Sequence, residues 1–246
     1  MAVFVLVAGA WHGAWCWERV APLLRGMGHL VVARDLPGMG GDATPLAECS
    51  FAGWARSVAE TVTAQPERVV LVGHSRGGMV ISQAAEFVPD SVRTSVYLAG
   101  LMLPPGINMP DAMARVTRTL DIAGACVVSP NGVSMALAPE IIAPAFYHAT
   151  EPEWAARAAN LLTPEPVFSM AAAGALSDAR FGRVPRAYIE CLQDCAVPLE
   201  LQRLMQRDLP CWKVLSLDTD HSPFYSAPQA LAMALDKVAA DAPVRP

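Results

Sequence analysis

The stretch that most constrains the fold of this chain is residues 69–78, Val-Val-Leu-Val-Gly-His-Ser-Arg-Gly-Gly. Four apolar, β-prone residues lead into a glycine-rich turn, and a helical pattern of apolar residues follows at once. In such a strand–turn–helix unit Gly73 and Gly77 allow neighbouring backbone to approach, and the turn exposes Ser75 at the N-terminus of a helix. Ser75 is therefore a candidate nucleophile. The alternative is a glycine-rich turn that has no catalytic role.

Outside this stretch, predicted strands and helices alternate except in one long segment. Strands are predicted at 1–8, 29–35, 92–99, 186–191 and 211–217, and helices at 51–65, 198–207 and 228–240. This alternation indicates an α/β fold with a mostly parallel sheet and helices on both faces. The core is predicted to comprise residues 1–100 and 184–246.

Residues 101–183 break this alternation, and we refer to them as the cap. Helices are predicted within the cap at 111–121, 139–146 and 153–162, and no strand is predicted there. An insertion of helices between two strands would cover the carboxyl edge of the sheet, where open α/β folds bind ligands.

The composition excludes several classes of partner. The 246 residues carry a net charge of −5 and contain no run of Lys or Arg, so nucleic acid is not an expected partner. No basic residues precede the apolar N-terminus and no stretch suits a membrane span, which favours a cytoplasmic protein with no membrane partner. The six cysteines lack metal-binding spacing, so we expect free thiols and no metal. A homodimer is left open.

A serine nucleophile requires a base, and the base requires an orienting carboxylate. In proteins with this turn the histidine follows the last strand, where His221 lies. Asp194 follows the preceding predicted strand and is the candidate acid, although it could also serve as a charge at a helix N-terminus. Asp218 and Asp220 are too close in sequence to His221 to reach its far nitrogen.

Two backbone N–H groups are candidates for stabilising an oxyanion, those of Ala10 and Arg76. The Arg76 side chain could form a surface salt bridge or reach toward the cap. The predicted substrate pocket is apolar, and any single member of it could instead be an ordinary core residue. Its candidate residues are Trp11, His12, Met102, Phe146 and Met170.

A dinucleotide-binding fold would also begin with a strand, a glycine turn and a helix. Residues 9–13, Gly-Ala-Trp-His-Gly, do not match G-x-G-x-x-G, and Trp11 would crowd a pyrophosphate. The sequence therefore disfavours a dinucleotide cofactor.

With these residues identified, the chain resembles the α/β-hydrolase superfamily, and within it the branch of plant hydroxynitrile lyases and methyl esterases related to salicylic acid-binding protein. The matching stretches are 4–7, His12-Gly13-Ala14-Trp15-x-Trp17, 22–24 with Gly28-His29, Gly73-His74-Ser75-x-Gly77-Gly78, Tyr188-Ile189-x-Cys191-x-x-Asp194-x-x-x-Pro198 and Asp220-His221. The resemblance implies an α/β-hydrolase fold, a helical cap over an apolar pocket, and neither metal nor organic cofactor.

Three positions depart from this branch. Ser222 and Gly9 stand where its hydroxynitrile lyases carry lysine and threonine, and Ala8 stands where relatives have histidine. The missing lysine disfavours a lyase, so the resemblance favours a serine-dependent carboxylic ester hydrolase. The candidate pocket residues in turn suggest that its substrates are small apolar or aromatic esters. A hydroxynitrile lyase, a lactonase or a carbon–carbon hydrolase on the same residues, and a small-molecule receptor with weak catalysis, remain alternatives.

Overall fold

The computed structural model describes residues 1–117 and 120–243. Within these residues, nine strands form two separate sheets and ten segments are α-helical. The strands are β1 (Val3–Val7), β2 (Leu30–Ala33), β3 (Val69–His74), β4 (Val92–Leu98), β5 (Cys126–Val128), β6 (Ser134–Leu137), β7 (Glu165–Pro166), β8 (Arg186–Cys191) and β9 (Lys213–Leu217). The α-helices are α1 (Ala21–Gly26), α2 (Phe51–Thr63), α3 (Gly77–Phe87), α4 (Met109–Met113), α5 (Pro139–Phe146), α6 (Pro152–Leu161), α7 (Phe168–Ala171), α8 (Leu199–Asp208), α9 (Pro223–Ser226) and α10 (Pro228–Asp241).

The larger sheet has six strands in the order β2-β1-β3-β4-β8-β9, and each neighbouring pair is parallel. β3, which carries the candidate nucleophile at its end, lies in the interior of the sheet between β1 and β4. Because the strands are parallel, the loops that follow β1, β3, β8 and β9 leave the sheet at one edge. The fold therefore brings the candidate functional loops together at that edge.

Both faces of this sheet are covered, which explains why β1 is a continuous apolar run with all five residues buried. Phe4 and Leu6 pack on the face that holds α1 and α10. Val3, Val5 and Val7 pack on the opposite face with α2, α3 and α8. The α/β fold with helices on both faces is thus confirmed. Ser50 is the N-cap of α2, and its hydroxyl accepts the Gly53 N–H at 3.1 Å.

The cap lies between β4 and β8. The sequence predicts that it contains no strand. β5, β6 and β7 form an antiparallel sheet inside it, so that expectation is wrong. These strands have only three, four and two residues, and Pro166 interrupts the usual strand pattern. The turn between β5 and β6 contains Asn131-Gly132, a dipeptide typical of hairpins, with φ of +71° at the glycine.

Two of the three helices predicted in the cap are present as α5 and α6. The third, predicted over 111–121, includes residues 118 and 119, which lie outside the described residues. In the described part, the helix α4 ends at Met113. Within 1–117 and 120–243, no helix has both the length and the apolar character needed to cross a membrane.

Candidate active site

Ser75 follows the last residue of β3 and lies in the left-handed region of backbone space with φ of +52°. This conformation is rare for residues other than glycine and indicates a backbone held by its surroundings. A Cβ at Gly73 would lie 2.6 Å from the Gly77 carbonyl oxygen, and one at Gly77 would lie 2.7 Å from the Ala8 carbonyl oxygen. The two glycines therefore permit the sharp turn, as their spacing suggests.

Asp194 and His221 meet at this edge of the sheet. His221 Nδ1 lies 2.7 Å from Asp194 Oδ2, and the two side chains are 1% and 0% exposed. An ionised carboxylate only accepts hydrogen bonds, so Nδ1 carries the proton and Nε2 is left free to accept one. The Asp194 carboxylate is itself held, since Oδ1 accepts the N–H groups of Ala196 and Val197, both at 2.8 Å.

Two neighbouring side chains hold the loop that carries His221. His74 Nε2 donates to the His221 carbonyl oxygen at 2.9 Å, and burial lowers the pKa of His74 well below its usual range. Asp220 is completely buried and accepts four hydrogen bonds. Their donors are the Ala149 and Ser222 N–H groups and the Thr150 and Ser226 hydroxyls. Asp220 thus ties the histidine loop to the cap.

Ala10 and Arg76 line the same cavity as Ser75. Arg76 precedes the first residue of α3, and Ala10 lies in the loop after β1. That loop approaches the turn closely, since a Cβ at Gly9 would lie 2.9 Å from Ser75 Cβ. Both candidate oxyanion donors therefore belong to backbone segments adjacent to Ser75.

The Arg76 side chain reaches the cap, where it pairs with Glu165 of β7. Arg76 Nε lies 2.9 Å from Glu165 Oε1, with side-chain exposures of 1% and 0%, so the alternative of a surface salt bridge is wrong. The guanidinium also lies 4.3 Å from the centre of the Trp54 ring. Burial lowers the pKa of Arg76, whereas the adjacent Glu165 opposes that shift.

The cavity beside Ser75 has a volume of about 480 Å³, which is within the usual range for small-molecule sites. Trp11, Phe146 and Met170 line it, as their sequence positions suggest. Most of the remaining lining is apolar and comes from the cap. These residues include Leu101, Met109, Pro110, Met113, Ala114, Ile122, Ala123, Cys126, Val128 and Met135.

Two residues expected in the pocket lie elsewhere. Met102 is completely buried in the core packed between the sheet and α2, α3 and α8, with its Sδ 3.8 Å from Cys211 Sγ. His12 is 2% exposed, and burial lowers its pKa to about 3. His12 Nδ1 donates to the Ala10 carbonyl oxygen at 2.7 Å and Nε2 accepts the Tyr147 hydroxyl at 2.5 Å, so His12 supports the loop after β1.

The site also contains Glu165, Tyr147 and Asp220, for which the sequence predicts no such role. A buried arginine requires a negatively charged partner. The position of Arg76 beside the turn therefore indicates that an acidic residue, such as Glu165, lies nearby. Sequence spacing alone could not select the partner, because Glu165 is 89 positions from Arg76.

A parallel sheet, a strained serine turn and a buried Asp–His pair at one edge define a hydrolase-type α/β protein. The alpha/beta hydrolase family model matches residues 4–234, and the chain belongs to this family. Methylesterase 1 from Arabidopsis thaliana is 33% identical, with coverage of 96% of this chain and 95% of that protein. Salicylic acid-binding protein 2 from Nicotiana tabacum is also 33% identical, with 96% of each chain covered.

A solved structure gives the same family relationship. The crystal structure of polyneuridine aldehyde esterase superposes with a TM-score of 0.87 at 29% sequence identity. The alignment covers 97% of this chain and 99% of the other. The resemblance to plant methyl esterases deduced from the motifs is thus confirmed over nearly the full length.

Proposed function

We propose that this protein hydrolyses carboxylic esters through an acyl-enzyme on Ser75. The observation that carries the proposal is the buried hydrogen bond between Asp194 and His221, whose backbone carbonyl is bound by His74, the residue before the strained Ser75. Relatives named as methylesterases and a neighbour named as an esterase support the same reaction type.

In this mechanism Ser75 Oγ attacks the ester carbonyl carbon while His221 Nε2 accepts the hydroxyl proton. Asp194 holds the imidazole in the required tautomer and stabilises its positive charge. The N–H groups of Ala10 and Arg76 stabilise the oxyanion of the tetrahedral intermediate. The alcohol leaves with the proton from His221, and water then repeats the steps on the acyl-enzyme.

The substrate proposed from the cavity is a small ester of an apolar or aromatic acid. Arg76 is the one charged residue in the lining that the structure describes, and Glu165 balances its charge. A second carboxylate on the acid part of the substrate would therefore enter an apolar space without a free cation, which is unfavourable. A short alcohol part, such as methanol, agrees with the names of the relatives.

The test is the hydrolysis of p-nitrophenyl hexanoate and of the p-nitrophenyl monoester of adipic acid by the wild type and Ser75→Ala, with mandelonitrile cleavage in parallel. We expect turnover of the hexanoate, at least tenfold weaker turnover of the charged ester, and loss of both in the variant. Cyanide release without ester turnover would favour the lyase alternative. Ligand binding without any turnover would favour a receptor.

A further inference from the structure

The loop that carries the Ala10 N–H group is held from both sides by one buried ion pair. Arg76 Nη2 donates to the Gly9 carbonyl oxygen at 2.9 Å. Glu165 Oε2 accepts the Trp11 N–H at 2.9 Å and also lies 3.3 Å from Arg76 Nη2. The two charged side chains therefore bind the peptide groups on either side of Ala10.

These contacts fix the direction of the Ala10 N–H group. The Gly9 carbonyl and the Ala10 N–H belong to one trans peptide plane and point in opposite directions. When Arg76 binds the carbonyl oxygen, the N–H on the other side of that plane is therefore oriented. The next peptide is fixed at both ends, because His12 Nδ1 donates to the Ala10 carbonyl oxygen and Glu165 accepts from Trp11.

A cation on the carbonyl oxygen also polarises the peptide and strengthens its N–H as a donor. This polarisation is strong here because the Arg76 and Glu165 side chains are 1% and 0% exposed, so water does not screen their charges. Trp11 has φ of +61°, a conformation that persists only where the surroundings hold it. The orientation of the loop thus depends on groups that lie outside it.

The cap contributes further bonds to the same loop. The Thr163 N–H donates to the Trp11 carbonyl oxygen at 2.9 Å, and the Trp11 indole N–H donates to the Met135 carbonyl oxygen at 3.2 Å. Hydrogen bonds to backbone carbonyl groups therefore join the cap to the loop after β1, in addition to the contacts of Glu165.

We propose that the Arg76 side chain and Glu165 are positioning residues for the oxyanion hole, an inference that rests on the proposed ester hydrolysis. Arg76 then has two roles. Its backbone N–H is one oxyanion donor, and its guanidinium orients the peptide that carries the other donor, Ala10. Glu165 neutralises the guanidinium and extends this support to the cap.

The test is the double variant Arg76→Leu/Glu165→Leu, which removes both charges together and leaves no unpaired buried ion. Its melting temperature should fall, because the Gly9 carbonyl and the Trp11 N–H lose their buried partners, so its kinetics are measured at a temperature where the variant remains folded. Turnover of p-nitrophenyl butyrate should fall by about 10- to 100-fold, with a much smaller change in KM. This loss is smaller than the roughly 10²- to 10³-fold loss for a missing oxyanion donor, because the Ala10 N–H remains and only its orientation is less well held.

An inhibitor pair separates positioning from a general structural effect. A trifluoromethyl ketone adds to Ser75 and forms an oxyanion in the hole, whereas the matching methyl ketone reports binding without it. In the double variant the ratio of their inhibition constants should shift by about the same 10- to 100-fold as turnover, because both depend on the hole. An unchanged ratio together with wild-type turnover would overturn the inference while leaving ester hydrolysis intact.

The matched control is Arg157→Leu/Glu18→Leu, which removes another Arg–Glu pair between cap and core. Arg157 Nε and Nη2 donate to the two Glu18 carboxylate oxygens, both at 2.7 Å, and the two side chains are 49% and 30% exposed. This control should retain turnover and the inhibitor ratio. An equal loss of turnover in the control would show that weaker attachment of the cap alone lowers activity. That result would overturn the assignment of Arg76 and Glu165 as positioning residues.

If the double variant fails to fold, Arg76→Lys provides the test. Lysine keeps a cation beside Glu165 but lacks the planar fork that contacts the carboxylate and the Gly9 carbonyl together. We expect about a tenfold loss of turnover with a parallel change in the inhibitor ratio. Wild-type values in Arg76→Lys would overturn the inference. No ester turnover in the wild type would instead reject the proposed function, and the inference with it.

Discussion

Asp194 Oδ2 accepts a hydrogen bond from His221 Nδ1 at 2.7 Å, and neither side chain is open to solvent. Gln202 adds to this arrangement, because its side-chain amide donates to the carbonyl oxygens of Cys191 and Val197 on either side of Asp194. The carboxylate is therefore fixed by the loop and by α8 before it contacts the imidazole. This rigidity suits a residue that sets the tautomer of a base.

Asp194→Asn should lower kcat by about 10³- to 10⁴-fold, because an amide favours the wrong tautomer of His221. Steady-state hydrolysis of p-nitrophenyl butyrate measures the effect. The exposed residue Asp218, which accepts a hydrogen bond from Gln193, provides the control Asp218→Asn. Comparable losses of kcat in Asp194→Asn and Asp218→Asn would contradict the assignment of Asp194 as the residue that orients His221.

Gly9→Ala should reduce kcat by displacing the loop that carries Ala10. The added Cβ would lie 2.9 Å from both Ser75 Cβ and His74 Nδ1, so the loop must move away from the nucleophile. We expect a loss approaching the 10²- to 10³-fold typical of a missing oxyanion donor. Gly26→Ala, where the new Cβ meets nothing within 4 Å, should retain full activity.

Asp220→Asn should destabilise the protein more than it impairs chemistry. The amide can accept at only one of the two oxygens that now receive four hydrogen bonds. We expect a decrease of about 2–4 kcal/mol in the free energy of unfolding, measured by urea denaturation. A fall in kcat as large as that of Asp194→Asn, at unchanged stability, would instead indicate a direct role in catalysis.

Stability should decrease in acid partly because of His12. Its pKa is lowered to about 3 in the folded protein, whereas its ordinary value is 6.5. Below pH 6.5 the unfolded chain takes up a proton that the folded chain does not, so the free energy of unfolding falls as the pH decreases toward 3.

The contribution of His12 reaches at most about 1.4 kcal/mol per pH unit. Urea unfolding between pH 7 and pH 5 measures this slope in the wild type and in His12→Gln. The variant should be less stable at pH 7, because contacts to Ala10 and Tyr147 change, but its stability should depend less on pH. If the free energy of unfolding depended on pH equally in the wild type and in His12→Gln, His12 would not be the source of the pH dependence.

The positions of Ser75, Asp194 and His221 could be predicted because each follows a strand of the parallel sheet. Strand ends are recognisable from apolar runs, and a parallel sheet brings the loops after them to one edge. The tertiary contact between Asp194 and His221 then follows from topology. The catalytic roles of these residues stay predictions until the variants are measured.

The interior of the cap could not be predicted to the same degree. β5 and β6 are short, and the exposed residues Val127 and Val128 give no alternation of buried and exposed positions. Met102 and Met170 have the same side chain, yet Met102 enters the core while Met170 lines the cavity. Their directions depend on how the segments after β4 pack, which local sequence does not specify.

The most direct measurement is a pre-steady-state reaction with p-nitrophenyl acetate, followed by acid quenching and peptide mapping by mass spectrometry. A burst of p-nitrophenol equal to the enzyme concentration, with the acetyl group on the peptide that contains Ser75, is the result expected for the proposed mechanism. Ser75→Ala should show neither the burst nor the adduct. Ester turnover in the wild type with an acetyl group elsewhere, or turnover that persists in Ser75→Ala, would contradict the account.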